Sequence, residues 1–151
     1  MNQVILFGIS GKMYTLREKI GEGSYGKVYA TQNAGLVAKI QLKDEGYHEA
    51  NVIQELSGIK GVLKIIDKGP IISFDANKIG VSEDSKFMIF ERLGPSLHNI
   101  RLDYPLVTKS DALKVGIKLI DCVQKIHEAG YVHRDIKVDN LLTTLNWEED
   151  P

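Results

Sequence analysis

A chain of 151 residues has the size of one ordinary domain and can bury a core. Its hydrophobic and charged fractions, 43% and 26%, are those of a globular protein and exclude the disordered and membrane-embedded classes. The net charge of −1 argues against a nucleic-acid-binding surface built on bulk basicity, and no segment approaches the roughly twenty apolar residues of a membrane span.

Close to the N-terminus stands the apolar run Val4-Ile5-Leu6-Phe7. This run is too short for a signal-peptide core, has no basic flank before it and no cleavage-like site after it. The expected location is therefore intracellular, cytoplasmic or nuclear. One cysteine, Cys122, cannot form an internal disulfide and falls in a helical apolar pattern, where a buried, inert thiol is expected.

Residues 14–42 alternate apolar and polar side chains with a period near two, broken by glycines, and predict three successive antiparallel strands. The first runs into Ile20-Gly21-Glu22-Gly23-Ser24-Tyr25-Gly26-Lys27-Val28-Tyr29, a G-x-G-x-x-G-x-V pattern. Three glycines at this spacing are a weak signal alone and also suit a Rossmann dinucleotide site. That site needs a helix to start at the glycines, with the pyrophosphate on its N-terminus. Here Lys27-Val28-Tyr29-Ala30-Thr31 follows, with the β-branched and aromatic content of a strand. The stretch is better read as a hairpin over phosphates, with Gly21, Gly23 and Gly26 giving the backbone close approach.

Gly35 to Ile40 predicts the third strand, with Lys39 on an otherwise apolar segment. A lysine there is costly to bury unless its ammonium meets anions, and phosphates plus a carboxylate would supply them. Asp44 to Gly58 predicts a helix, with Asp44 as N-cap and Ala50, Ile53 and Leu56 at helical spacing. Glu49 is the expected partner of Lys39 and Glu55 the rival; the two lie on nearly opposite sides of that helix. Val62 to Gly69 and Lys86 to Glu91 predict two more strands, with Pro70 to Ser85 between them as a long polar surface loop. An apolar strand then runs into Gly94-Pro95, which marks a reversal or hinge.

Ser110 to Ala129 carries Leu113, Ile117, Ile120, Val123 and Ile126 at helical spacing, a stripe expected to be buried, with Ser110 or Asp111 as cap and Gly130 as stop. His127 reads as a structural histidine, and no His/Cys cluster has zinc spacing. The helix leads to His133-Arg134-Asp135-Ile136-Lys137-Val138-Asp139-Asn140. His-Arg-Asp, with Lys two residues and Asn five residues after the Asp, is the most specific pattern in the chain. Leu141 to Thr144 could form a short strand.

This last motif resembles the catalytic loop of a protein kinase. Glu91 followed by Leu93-Gly94-Pro95-Ser96-Leu97 resembles the hinge of the casein kinase I family, and Phe87-Met88-Ile89-Phe90-Glu91-Arg92-Leu93-Gly94 is similar to the related vaccinia-related kinases. With the glycine loop, Lys39 and Glu49, the resemblance covers residues 14–145 in the expected order. It implies an α+β protein-kinase-like fold: a five-stranded antiparallel N-lobe sheet with one helix, and the first part of a helical C-lobe. The implied boundaries are an extension at 1–13, the N-lobe at 14–91, a hinge at 92–95 and the partial C-lobe at 96–151.

The resemblance implies serine/threonine phosphorylation from Mg-ATP. Ile20, Gly21, Gly23, Ser24, Gly26, Val28, Val37, Lys39, Glu49, Phe90, Glu91 and Leu93 would bind nucleotide, with Phe90 at the back of the adenine pocket and backbone groups near Glu91 and Leu93 on the base. Val37 stands where many kinases have alanine, which would tighten that pocket. Asp135 would orient the substrate hydroxyl and accept its proton, Lys137 would neutralise the transferring phosphate, and Asn140 would hold magnesium. His133 and Arg134 would brace the loop; Asp139 has no assigned role. Protein substrates with acidic or already phosphorylated Ser/Thr sites are implied, and no nucleic acid or membrane.

No Asp-Phe-Gly occurs after Asn140, and Glu148, Glu149 and Asp150 match no metal motif. The 151 residues alone are therefore expected to be a poor catalyst. The alternative is a truncated pseudokinase that binds nucleotide or a partner, with the stripe at 113–126 lacking its usual cover. A dinucleotide-dependent oxidoreductase is the third reading.

Overall fold

The alternation that begins at residue 14 becomes a six-stranded sheet in the computed structural model, which describes residues 3–23, 26–41, 45–82, 84–103 and 108–145. Ser24, Asp44 and the acidic run at 148–150 lie outside the described residues. The chain divides into two units, Met1–Ser57 with Leu63–Arg92, and Gly58–Val62 with Leu93–Pro151.

The first unit holds β1 (Ile5–Phe7), β2 (Met13–Gly23), β3 (Gly26–Thr31), β4 (Leu36–Gln41), β5 (Asp67–Pro70) and β6 (Lys86–Glu91), in the spatial order β1-β2-β3-β4-β6-β5 with every neighbouring pair antiparallel. The class is the expected one, but the sheet has six strands rather than five. The sixth is β1, too short to show a period of two; Ile5, Leu6 and Phe7 pair with Thr15, Tyr14 and Met13. The strand expected over 62–69 is confined to Asp67–Pro70, and Leu63 and Ile65 ahead of it pack as half-buried side chains on Met88 and Phe90.

Pairing register sorts the side chains onto two faces. Tyr29 pairs with Ala38, Ala38 with Ile89 and Ile40 with Phe87. These residues share the main core with Leu6, Tyr14, Leu16 and Ile71, and Ala38, Ile40 and Ile89 are wholly buried. Each large apolar side chain so buried contributes about 1.5–3 kcal/mol. The opposite face carries Val28 paired with Lys39, Lys39 with Met88 and Val37 with Phe90. On that side Val37, Met88 and Phe90 pack with Ala50 and Ile53 of α1 (Glu45–Glu55). Lys39 therefore points away from the main core because its strand neighbours, Ala38 and Ile40, point into it.

The segment 70–85 departs from the expected surface loop. It contains α2 (Ser73–Ile79), and Ile71 and Ala76 are buried in the main core. Gly80, in the left-handed region at φ 62°, ends the helix: its N–H donates to the Asn77 carbonyl and the Val81 N–H to that of Ala76. This paired termination is a common helix ending, and Gly80 was its signal in the sequence.

One buried carboxylate ties the outermost strands. Asp67 accepts from the Ser10 hydroxyl and N–H, from the Tyr14 hydroxyl at 3.0 Å and from its neighbour's Lys68 N–H at 2.9 Å, while the Ile9 N–H donates to the Lys68 carbonyl at 2.9 Å. Burial pushes the Asp67 carboxyl up, but these hydrogen bonds outweigh it and hold the group below its ordinary range. Burial and the Asp67 carboxylate both push the Tyr14 phenol up.

The second unit holds α3 (Leu97–Asp103), α4 (Lys109–Glu128) and a 3₁₀ turn at Val138–Asn140. The expected helix is present as α4, but its cap is Thr108, ahead of the expected Ser110 or Asp111. The Thr108 hydroxyl oxygen accepts from the Asp111 N–H at 3.1 Å, and the same hydroxyl donates to the Asp111 carboxylate at 2.6 Å. Gly130, at φ 87°, follows the helix end. The stripe is not buried as expected: Leu113, Ile117 and Ile120 are exposed, Val123 is half-buried, and Ile126 alone is buried at 6%. Cys122 is half-buried, and burial pushes its thiol up, as an inert thiol requires.

Candidate functional site

In the first unit the glycine stretch is a strand hairpin. Gly21, Glu22 and Gly23 of β2 pair with Val28, Lys27 and Gly26 of β3, so no helix starts at the glycines and the Rossmann alternative fails. Gly26 has φ 154°, and a Cβ there would stand 2.2 Å from the Ile40 carbonyl oxygen, so the fold itself demands glycine. Gly21 and Gly23 differ. A Cβ at Gly21 would meet Val28 at an ordinary 3.7 Å, and one at Gly23 would meet nothing within 4 Å. The packing of this chain does not explain why these two positions lack side chains, whereas a ligand lying against the backbone would.

Lys27, beside the turn end of the hairpin, donates to the Ile79 and Gly80 carbonyls at 2.9 and 3.1 Å, joining β3 to the end of α2. Ile20 is exposed and Val28 half-buried. Lys39 reaches across to α1, where its ammonium meets Glu49 Oε1 at 2.6 Å. Helix geometry brings Glu49 rather than Glu55 to the lysine. Sequence reading missed a third member of this group: the Gln41 side-chain amide donates to Glu49 Oε2. Gln41 lies two residues beyond Lys39 on β4, hence on the same face, and that spacing was the available signal. Phe90 is buried with Val37, and Glu91 ends β6 in an exposed position.

In the second unit the His133–Asn140 loop is tightly organised. The Lys137 ammonium stands 3.0 Å from Asp135 Oδ2, and the Asn140 amide donates to the same oxygen and to the Asp135 carbonyl, each at 2.9 Å. The Asp135 N–H donates to His133 Nδ1 at 3.3 Å. Lys137 and Asn140 hold the exposed Asp135 carboxyl below its ordinary range, so it is ionised at neutral pH. Arg134 has φ 65°, the only non-glycine positive φ among the described residues, a strained conformation of the kind found where a loop must hold a set geometry.

Leu93 begins the segment to which the loop's exit is tied. The Gly94 N–H donates to the Thr143 carbonyl, the Thr143 N–H to that of Pro95 and the Leu97 N–H to that of Leu141, at 2.8–3.1 Å. Ser96 and Leu142 form an isolated bridge in place of the short strand expected over 141–144. Asp139 lies 4.0 Å from His98. Among the described residues no group of three or more His, Cys, Asp or Glu side chains could hold a metal. The metal ligand of the expected set is Asn140: its nitrogen is engaged by Asp135, which leaves the amide oxygen as the end suited to a hard cation.

Comparison with known proteins shows the family. The chain is 29% identical to the human serine/threonine-protein kinase VRK2 over 91% of its own length, and 30% identical to the B1 kinase of vaccinia virus over 82%. A probable casein kinase I homolog of Encephalitozoon cuniculi is 29% identical over 85% of the chain. The chain spans 30%, 44% and 41% of the lengths of these three relatives. Its fold is similar to that of the solved structure of vaccinia related kinase 3, with a TM-score of 0.73 at 18% identity over 95% of the chain and 50% of that structure. The protein kinase domain family matches residues 14–148, nearly the whole chain, and the chain belongs to that family.

Proposed function

We propose that these residues bind Mg-ATP and direct phosphoryl transfer to serine or threonine of a protein substrate. The observation that carries the reading is the Lys39–Glu49 pair, standing on the sheet face that also presents Val28, Val37 and the open backbone of Gly21 and Gly23. Glu49 fixes the lysine's direction, and the ammonium serves the α- and β-phosphates. Ile20, Val28, Val37 and Phe90 pack on the base, and backbone groups near Glu91 and Leu93 bond it.

Asp135, ionised and gripped by Asn140, orients the attacking hydroxyl and takes its proton as the phosphoryl group leaves ATP. A carboxylate held below its ordinary pKa is a weak base, so its main service is positioning. Lys137 offsets negative charge on the group in transit. Asn140 would hold the metal, and a bound magnesium supplies charge neutralisation on the phosphates. The family resemblance favours substrates with acidic or previously phosphorylated sites.

A second reading, nucleotide or partner binding without transfer, is favoured by one observation, the exposed apolar stripe on α4. ATP with magnesium is expected to raise the melting temperature of the chain, and Lys39→Met to weaken the affinity about tenfold, the loss of a charge-assisted contact. No shift with ATP, or a shift with NAD alone, would overturn nucleotide binding in both readings and leave only partner binding. Phosphorylation of casein by the chain would rule out the second.

A further inference from the structure

We infer that Gln41 is a positioning residue that holds Glu49 against Lys39, so that the ion pair is assembled before nucleotide arrives. The inference rests on the nucleotide-binding reading of Lys39. Lys39 and Gln41 project from the same face of β4, and each takes one oxygen of the Glu49 carboxylate, Lys39 at Oε1 and Gln41 at Oε2. The Lys39 and Glu49 side chains are 25% and 36% exposed, open enough for water to compete for both. Gln41 is 4% exposed, so water has little access to its side chain.

The orientation of the Gln41 amide follows from chemistry. A carboxylate only accepts, so the amide nitrogen must face Glu49. The amide oxygen is then buried without a hydrogen-bond partner among the described residues. A buried, unpaired acceptor disfavours glutamine at this position, so what its nitrogen does must outweigh that penalty. Neutrality matters as well. A lysine at 41 would compete with Lys39 for Glu49, and a glutamate would repel Glu49 and draw off the Lys39 ammonium. A neutral donor steadies the carboxylate and leaves the Lys39 charge for phosphate.

Gln41→Met keeps the length and shape of the side chain while removing both the donor and the unpaired acceptor, so the fold is expected to survive. In Gln41→Met, hydrogen exchange of the α1 amides should quicken several-fold and ATP affinity should fall about five- to tenfold, with the unfolding midpoint near that of the parent chain. In Gln41→Glu, affinity relative to the parent should be lowest near pH 8 and recover as the pH falls and the introduced carboxyl gains a proton to donate, a profile that a packing role would not produce. Parental α1 exchange in Gln41→Met, or a pH-independent ratio in Gln41→Glu, would overturn the inference. If the parent chain fails to bind ATP, the nucleotide reading fails, and α1 exchange in Gln41→Met still decides whether Gln41 holds Glu49.

Discussion

The first unit is built around buried apolar side chains and the second around backbone hydrogen bonds. Among the described residues, every buried apolar side chain except Ile126 lies in the first unit. There the sheet holds Lys39, Glu49 and Gln41 in place through a dense core directly behind the strand that carries two of them. The second unit fixes Asp135, Lys137 and Asn140 differently: the loop bonds to itself, its exit is tied to residues 94–97, and Arg134 occupies a strained backbone conformation. Side chains on a packed sheet resist displacement as a block, whereas those on a stitched loop depend on a few polar contacts.

Substitutions can break or sharpen that contrast. The largest effect is expected for Phe87→Ala, which empties a site that is 1% exposed at the centre of the sheet and should cost about 3–5 kcal/mol in urea unfolding. A loss no greater than that of Ile120→Ala would erase the distinction between the units. Asp67→Ala comes next, at about 1–3 kcal/mol, because Tyr14 and Ser10 lose their acceptor in a buried setting. The Asp67 carboxyl is held below its ordinary range, so its contribution is present above about pH 4 and is lost as the pH falls through the lowered value. Asp67→Asn should flatten the acid limb of the stability curve. The smallest effect is expected on α4: Ile117→Gln, at a position 68% exposed, should change stability by no more than about 0.5 kcal/mol while reducing self-association in sedimentation.

Much of the candidate site was legible because its chemistry is written in short spacings. Asp135, Lys137 and Asn140 fall within six residues, and the lysine on an apolar strand was conspicuous against Ala38 and Ile40. Glu49 was preferred to Glu55 from the sequence, and the setting of α1 against the sheet brings it to Lys39. Gln41 escaped notice because a glutamine at a strand end carries no distinctive signal until its partner is known. In the fold, β1 is too short to show a period, and α2 is a helix of only seven residues between two strands, although Gly80 marked its end. The α4 stripe was read correctly as apolar and helical; periodicity identifies a face and does not reveal what lies against it.

The tie at Asp67 has a consequence for how the molecule meets its neighbours. A sheet ordinarily ends in two strands whose unpaired N–H and carbonyl groups can template addition of a strand from another chain. In the first unit those two strands are β1 and β5, and they are brought against each other by the Ile9–Lys68 hydrogen bond and the Asp67 carboxylate. Each screens the other, much as closing a barrel removes its edges. Loosening Asp67 by acid or by substitution would expose β-templating surface as well as lower stability, so association through that sheet should accompany the acid transition.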